Sequence, residues 1–356
     1  MKQIIQASAP SNIALIKYMG KIDFEKNLPT NPSLSFTLEN LRSYVELELV
    51  QEKTLSVSSD PECLSKTVGG RDSRHRAPGM ASCVFSTNIV DPSAENAFDT
   101  WAPLSHPQCQ PLTLSDSAQN RFLTHFSMLK NYFKCEEQFI VRSANNFPAS
   151  CGLASSAASF AALTRAAIEA MAETPISAKE KTTLARLGSG SACRSLLGPW
   201  VVWDLENVYA IDLPYPELLH HVIVVEEQEK TLRSSDAHRL VMSSPHFKGR
   251  PERAIARKTQ LIESLCEQNW RAAFEIVWDE FQDMHELFHT ASTPFRYLSD
   301  KSQHVLDHFQ DVWKKHDDGP LVTMDAGPNI HVLFRPDQTQ LAEKTLAPLR
   351  EVYHVI

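Results

Sequence analysis

A short turn that leads into an alanine-rich helix constrains the fold of this chain most strongly. Residues 143–163 have the sequence SANNFPASCGLASSAASFAAL, in which a strand ends and Pro148 fixes a turn. Gly152 lets the backbone approach a ligand closely, and Ser155 and Ser156 begin the helix. Backbone N–H groups and the helix dipole favour an anion at such a point. The segment lacks the lysine of a Walker loop, and a serine-capped core helix explains it equally well.

A second loop of similar composition lies further along the chain. Residues 187–203 have the sequence LGSGSACRSLLGPWVVW, in which Ser189 and Ser191 offer hydroxyl and backbone donors. Arg194 carries a planar guanidinium suited to a carboxylate or a phosphate. An exposed arginine in a turn is the simpler interpretation of this loop alone. Two such loops in one chain favour a pair of anion sites.

The N-terminal region contributes two lysines. Within residues 9–38, Lys17 and Lys21 are spaced so that they would share one face of a helix. If the segment is not helical, both still lie close in sequence to Asn12 and Tyr18. A solvated basic face is an equally good interpretation of this spacing.

Two further candidates are an aspartate at a strand end and a pair of histidines on one predicted helix. Asp325, in the sequence MDAGPN, ends an apolar strand before a Gly-Pro turn, so it is either a turn-capping residue or a positioned base. His285 and His289 are four residues apart in MHELFHT, which is not the HExxH order of a zinc site. We therefore expect both histidines to be ordinary surface or core residues.

Composition excludes several classes of function. The chain has 356 residues, of which 42% are hydrophobic, so it can bury a large core. Its formal charge is 35 − 43 = −8, with acidic and basic residues interspersed. This argues against nucleic acid and against an anionic membrane surface as partners.

Targeting and cysteine patterns point to a soluble cytoplasmic protein. The N-terminus lacks an apolar stretch of signal-peptide length. Residues 157–172 form the most apolar long segment and are too few to span a membrane. The seven cysteines show no metal-binding spacing, which favours reduced thiols.

Hydrophobic periodicity predicts mixed elements without a regular strand–helix alternation, which indicates an α+β fold. The predicted strands are 45–51, 138–142, 201–203, 221–225, 321–324 and 330–334. The predicted helices are 117–133, 155–171, 252–267 and 271–288, the last two forming an antiparallel pair. Residues 51–115 show weak periodicity, and we expect short irregular strands, a mobile flap, or both.

Four of these segments together resemble one family. The sequences NIALIKYMGK (12–21), NNFPASCGLASSAA (145–158), GSGSACRS (188–195) and DAGPN (325–329) are similar to motifs of the diphosphomevalonate decarboxylases, in the GHMP kinase superfamily. The resemblance implies a GHMP-kinase-like two-lobed α+β fold with a ligand cleft between the lobes. The N-terminal ATP-binding lobe would comprise residues 1–210, with 51–115 as an irregular insertion. The C-terminal lobe would comprise residues 211–356.

The same resemblance implies roles for particular residues. It implies a catalytic set of Asp325, Arg194, Ser156 and Lys17. The substrate would contact Asn12, Tyr18, Lys21, Ser189, Ser191, Arg194 and Ser234. The ATP site would comprise Asn145, Asn146, Phe147, Pro148, Gly152, Leu153, Ala154, Ser155 and Ser156. Ser156 would also bind Mg²⁺.

The reaction implied is the ATP-dependent decarboxylation of mevalonate 5-diphosphate, in a homodimeric enzyme. Alternatives remain at this point. A relative could act on the 5-monophosphate, could phosphorylate without decarboxylation as a mevalonate 3-kinase does, or could bind without catalysis. Retention of Asp325, Arg194 and the serine loops disfavours the last two. Met19, where the family motif has tryptophan, and Asp236, beside Ser234, are departures that bear on substrate identity.

Overall fold

The protein is described here by a computed structural model covering residues 4–50, 99–109, 113–148, 155–226, 232 and 234–356. Most of the predicted insertion at 51–115 lies outside the described residues, as do Gly152, Leu153 and Ala154. In the described part of the chain, no helix combines the length and the apolar composition needed to cross a membrane.

The strands form two main sheets and one small hairpin. In chain order they are β1 (Ile4–Ile16), β2 (Lys21–Asp23), β3 (Leu28–Pro29), β4 (Ser33–Leu49), β5 (Thr100–Pro103), β6 (Phe139–Asn145), β7 (Trp200–Asp204), β8 (Asn207–Ile211), β9 (Leu219–Val224), β10 (Leu321–Met324), β11 (Ile330–Phe334) and β12 (His354–Val355). The first sheet has the order β5-β6-β4-β7-β8, with β1 also paired to β4. The second has the order β10-β11-β9-β12, and β2 pairs with β3.

The α-helices cover both sheets. They are α1 (Asp116–Phe133), α2 (Ser155–Met171), α3 (Ala178–Gly188), α4 (Ser234–Leu240), α5 (Arg250–Cys266), α6 (Trp270–Thr290), α7 (Asp300–His316) and α8 (Thr339–Arg350). A 3₁₀ helix, Gly190–Leu196, follows α3 directly. Side-chain caps define several helix starts, such as the reciprocal pair of Ser177 and Glu180 at α3.

The long antiparallel pair β1 and β4 forms the centre of the first sheet. Its register shifts between Pro10 and Ser11 and again between Ala14 and Ile16, as expected of β-bulges that bend a strand and re-aim its side chains. Helix α2 packs on both strands. Its alanines other than Ala170 are fully buried, and their small side chains let the helix lie close to the sheet. The strand end at Ile16 therefore leads Lys17 into the interior.

Helices α6 and α7 contact the second sheet, whereas α5, the antiparallel partner of α6, contacts strands β1 and β4 of the first sheet. Helix α6 buries an apolar face that includes Phe281 and Phe288, and it contacts both β10 and the end of β1. It therefore bridges the two sheets. Asp325 directly follows β10, at the same end of the structure as Lys17.

The predicted elements are confirmed with shifts of a few residues at their ends, except that the strand predicted at 45–51 is only the last part of β4, which begins at Ser33. Helix α2 and strands β10 and β11 have the predicted bounds, and the predicted antiparallel helix pair is α5 and α6. The N-terminal lysines do not lie on a helix, because Lys17 follows β1 and Lys21 begins β2. Strand β5 occupies the described end of the 51–115 region and pairs in parallel with β6.

Candidate active site

A cavity of about 1090 Å³ lies between the first sheet, α1, the start of α2, α4 and the turn that follows β10. Its lining includes Lys17, Tyr18, Lys21, Arg121, Ser155, Ser156, Ser189, Ser191, Arg194, Ser234, Arg239 and Asp325. Five of these side chains are cations, six carry a hydroxyl group, and Asp325 carries a carboxylate. Segments that are distant in sequence thus meet at one site.

Lys17 and Asp325 form an ion pair at the end of this cavity. The Lys17 Nζ atom donates to Asp325 Oδ1 at 2.6 Å. The lysine side chain is only 2% exposed, whereas that of Asp325 is 29% exposed. The carboxylate is therefore accessible to a bound ligand while the ammonium supports it from the protein side.

The two charges affect each other's protonation. Burial lowers the pKa of the Lys17 ammonium, and the facing carboxylate partly offsets this effect. Burial acts to raise the pKa of Asp325, but Lys17, His331 and Arg194 outweigh it, so the net shift is downward. Asp325 is consequently ionised at neutral pH and can accept a hydrogen bond or a proton.

Arg194 is held rigidly beside this pair. Its Nε donates to Asn12 Oδ1 at 3.0 Å, and its Nη1 donates to Ser33 Oγ at 2.7 Å. The guanidinium lies 5.6 Å from the Tyr18 ring centroid and 5.8 Å from that of Trp203. A buried arginine in fixed orientation is suited to a planar carboxylate.

Asn12 acts behind Arg194 and is not among the cavity-lining residues. It is 1% exposed, and its Nδ2 donates to Ser195 Oγ at 2.8 Å and to Ser191 O at 3.2 Å. The asparagine thus ties strand β1 to the 3₁₀ helix that carries Arg194.

The two serine-containing loops meet as the sequence predicts. Ser156 Oγ lies 3.4 Å from Ser189 Oγ, and Ser155 and Ser191 line the same cavity. Gly190 is required here, because a Cβ at this position would lie 2.7 Å from the Tyr18 hydroxyl oxygen. Hydroxyl groups and the N-terminus of α2 therefore face the cavity together.

The turn at residues 18–21 is shaped by Gly20 and a histidine that sequence reasoning missed. Gly20 has φ = 93°, a left-handed conformation that favours glycine, and its N–H donates to His238 Nδ1 at 3.0 Å. The His238 ring stacks on Tyr18 at 4.8 Å. Burial and nearby Lys21 lower the pKa of His238 to about 3, so the ring is neutral.

Lys21 differs from Lys17 in its surroundings. Its Nζ donates to the amide oxygen of Asn27 at 2.6 Å. Burial, Arg121 and Arg239 lower its pKa to about 8. This part of the cavity therefore holds several cations close together, an arrangement that favours a polyanionic ligand.

The segment before α2 is engaged in structural contacts. Asn145 Oδ1 accepts from Ser43 Oγ at 2.7 Å, and Asn146 Oδ1 accepts from the Arg42 N–H at 2.7 Å. Phe147 is buried in the main core, whereas Pro148 is exposed. None of the side chains of residues 145–148 is among the cavity-lining residues, and their ATP-binding role stays a prediction.

Three more residues beside Lys17 and Asp325 were missed by sequence reasoning. Arg250, Glu280 and His285 are fully or almost fully buried next to the pair. Arg250 and Glu280 have the spacing of ordinary amphipathic helices. His285 was noticed only as half of an unsuitable zinc spacing. Pattern alone does not distinguish a buried charged residue from a solvated one on the same helix.

The fold is GHMP-kinase-like, and its cavity has the anion-binding groups of a small-molecule phosphotransferase. The diphosphomevalonate decarboxylase-like N-terminal domain matches residues 9–63 and 62–208. The mevalonate 5-diphosphate decarboxylase C-terminal domain matches residues 221–355. The chain therefore belongs to the diphosphomevalonate decarboxylase family.

Individual relatives agree with this assignment. A mevalonate diphosphate decarboxylase structure from Legionella pneumophila has a TM-score of 0.81 and 42% identity, covering 99% of this chain and all of the other. The structure of MDDEF in complex with MVAPP, AMPPCP and magnesium has a TM-score of 0.77 and 25% identity, covering 100% and 96%. Diphosphomevalonate decarboxylase mvd1 of Aspergillus fumigatus is 29% identical over 354 residues, covering 95% of this chain and 78% of its own length.

Proposed function

We propose that this protein catalyses the ATP-dependent decarboxylation of mevalonate 5-diphosphate to isopentenyl diphosphate. The observation that carries the proposal is the convergence of Asp325, Lys17 and Arg194 on one cavity. These three residues supply a proton acceptor, its supporting cation and a carboxylate-binding group. The family assignment supplies the substrate class.

The proposed base is Asp325. Its carboxylate is open to the cavity and can receive the proton of the substrate's 3-hydroxyl as that oxygen attacks the γ-phosphoryl group of ATP. The low pKa of Asp325 is compatible with this role, because the hydroxyl proton is released late when phosphoryl transfer is loose. Lys17 keeps the carboxylate ionised and fixed in place.

The proposed carboxylate-binding residue is Arg194, oriented by Asn12. Holding the substrate carboxylate would align the bond between C1 and C2 for cleavage. The 3-phosphate then leaves with the C3–O electrons, and the electrons of the broken C1–C2 bond form the alkene as CO₂ departs. The net products are ADP, phosphate, CO₂ and the unsaturated diphosphate.

The serine-lined end of the cavity fits ATP and Mg²⁺. The chemistry of the donor set suits them, because Ser155, Ser156 and Ser189 present hydroxyls at the N-terminus of a long helix. Ser156 would hold Mg²⁺, which neutralises phosphate charge when bound. We also assign residues 145–148 and 152–154 to the nucleotide side by resemblance.

The proposed site for the diphosphate tail is formed by Tyr18, Lys21, Ser189, Ser191 and Ser234. All five line the cavity. Burial raises the pKa of Tyr18 to about 12, so its hydroxyl remains a hydrogen-bond donor. Cations and hydroxyls together can satisfy the oxygens of a diphosphate.

The proposal is tested by supplying purified protein and Mg-ATP with mevalonate, its 5-phosphate or its 5-diphosphate in separate reactions. We expect equal amounts of ADP and CO₂ from the diphosphate only. Turnover of the monophosphate would change the substrate, and ADP without CO₂ would identify a kinase. The matched control is Asp325→Asn protein, which should form both products about 10³-fold more slowly.

We further infer that the protein is a homodimer of two-lobed subunits that works in the cytoplasm, with the lobes divided near residue 210. The family resemblance supports the dimer and the lobes. Among the residues that the structure describes, Cys109, Cys135, Cys193 and Cys266 are free thiols, which supports a reducing compartment. Light scattering on purified protein tests the dimer, which a monomer mass would refute.

A further inference from the structure

Helix α6 runs beside both members of the Lys17–Asp325 pair. It contacts the end of β1, which leads into Lys17, and strand β10, which leads into Asp325. Glu280 and His285 lie five residues apart on this helix, a rise of about 7.5 Å. Each makes a hydrogen bond to the backbone of one member of the pair.

Glu280 and Arg250 hold both backbone polar groups of Lys17. The Lys17 N–H donates to Glu280 Oε1 at 2.9 Å, and Arg250 Nη2 donates to the Lys17 carbonyl at 2.9 Å. Both side chains are 0% exposed and bonded to each other, including Arg250 Nη1 to Glu280 Oε2 at 3.0 Å. This buried pair fixes the backbone from which the Lys17 side chain extends.

His285 supports Asp325 from the same helix. Its Nε2–H donates to the Asp325 carbonyl oxygen at 3.2 Å. Burial lowers the pKa of His285 to about 3, so the ring is neutral and this single proton is its donor. Its Nδ1 atom has no hydrogen-bond partner among the described residues. The buried ring therefore has one visible polar contact, and that contact is to Asp325.

Packing reinforces these bonds. Met284 of α6 lies in one apolar cluster with Met19 and Ala326, which follow Lys17 and Asp325 closely in sequence. The helix thus contacts the chain on both sides of the cavity through apolar as well as polar groups.

We propose that α6 sets the geometry of the Lys17–Asp325 pair, with Glu280 and His285 as positioning residues that act through it. Neither residue is among those lining the cavity. This inference rests on the proposed function, because it assigns the two residues a purpose in that reaction. It predicts that loss of either bond slows the chemical step more than it weakens ligand binding.

The His285 arm of the test compares two substitutions of similar size. His285→Gln keeps an N–H donor that can reach the Asp325 carbonyl, whereas His285→Met removes it. The methionine variant should remain folded, because the Asp325 carbonyl still accepts from the Gly327 N–H at 2.8 Å. We expect kcat to fall roughly 10-fold in His285→Met, with both KM values within twofold, and to recover at least half in His285→Gln.

A purely structural role would give a different result. It would lower the urea midpoint and the folded fraction, while kcat per folded enzyme stayed constant. An unchanged kcat in His285→Met, or an equal loss in both variants, would overturn the assignment of His285.

The test of Glu280 measures how kcat depends on pH in the Glu280→Gln variant. The charged and titratable groups facing Lys17 are Asp325, Arg194, Glu280, Arg250 and His285. Glu280 raises the pKa of Lys17, so Glu280→Gln should lower it and move the alkaline fall of kcat to lower pH. Arg250 keeps Asp283 as a partner at 3.2 Å in that variant. An unmoved pH profile with unchanged kcat would exclude Glu280.

The two proposals fail separately. If wild-type protein does not convert mevalonate diphosphate with ATP, the proposed function is wrong. If wild-type protein is active and His285→Met matches it, the proposed function stands and the positioning role of α6 is wrong. Should Glu280→Gln not fold, the His285 pair alone decides.

Discussion

The two ends of the cavity each contain a lysine from the same short segment, yet their electrostatics differ. At one end, called the reacting end, Lys17 is paired with Asp325, and Arg194 lies beside them. At the other, called the tail end, Lys21 bonds to a neutral amide and lies near Arg121 and Arg239.

The difference shows how an acidic protein can bind two polyanions. Positive charge at the reacting end is partly neutralised by Asp325, so this end is organised for proton acceptance and orientation. At the tail end, Asp236 lies 3.8 Å from Arg239. Lys21, Arg121 and Arg239 still leave a net positive charge there, which favours an anionic ligand. The formal charge of −8 for the whole chain therefore says little about either end.

The largest expected effect is at the reacting end. Asp325→Asn keeps the size of the side chain but removes the proton acceptor, so kcat should fall about 10³-fold. KM for ATP should change little, because the serine-lined side is untouched. Release of ADP and CO₂ under saturating substrates measures the effect. Turnover close to that of wild type would exclude Asp325 as the base.

Arg194→Gln should have the next largest effect. The glutamine can still contact Asn12 but cannot form two charged hydrogen bonds with a carboxylate, so kcat/KM should fall about 10²- to 10³-fold. Single-turnover measurement of CO₂ and ADP checks the result. We expect CO₂ formation to suffer more than ADP formation, and equal losses of the two would place the substrate carboxylate elsewhere.

Much of this arrangement could be predicted from sequence. The serine loops, Arg194 and Asp325 were identified because short glycine- and serine-rich strings carry local geometry. The helices of the C-terminal half were predicted from their amphipathic period. The structure brings these segments to one cavity, as the family resemblance implied.

Other parts were beyond pattern reasoning for physical reasons. Strand β1 was not predicted, because it contains Pro10 and fully buried polar residues such as Ser11, and its register shifts twice. Glu280 and Arg250 look like solvated helix residues until the partner helix is known. A buried ion pair depends on contacts across 30 residues of chain, which local periodicity does not contain.

Removing the Lys21 charge should affect binding and leave the chemical step nearly unchanged. Lys21→Met removes a cation that would contact the diphosphate, so KM for that substrate should rise about 10- to 100-fold. kcat should stay within a few fold. Lys21→Arg is the control and should retain most of the affinity. A large loss of kcat with unchanged KM would show that the two lysines do not divide their roles between the two ends.

The smallest effect is also the most specific test of the tail end. The pKa of Lys21 is about 8 in the free protein, so its ammonium is present below that pH and is lost above it. The kcat/KM for the anionic substrate should therefore fall as pH rises through about 8, because this parameter reports the free enzyme. Lys21→Arg should remove that fall, since arginine stays charged.

Arg239→Gln should remove one cation from the tail end, yet it should make Lys21 keep its charge to higher pH. Arg239 helps to depress the pKa of Lys21, so its removal should raise that pKa and move the fall in kcat/KM to higher pH. The variant should lose some affinity at pH 7 and recover relative to wild type above pH 8. If the fall moves to lower pH, or persists in Lys21→Arg, the titrating group is not Lys21. The alkaline limb would then belong to the reacting end, where the pKa of Lys17 is also lowered.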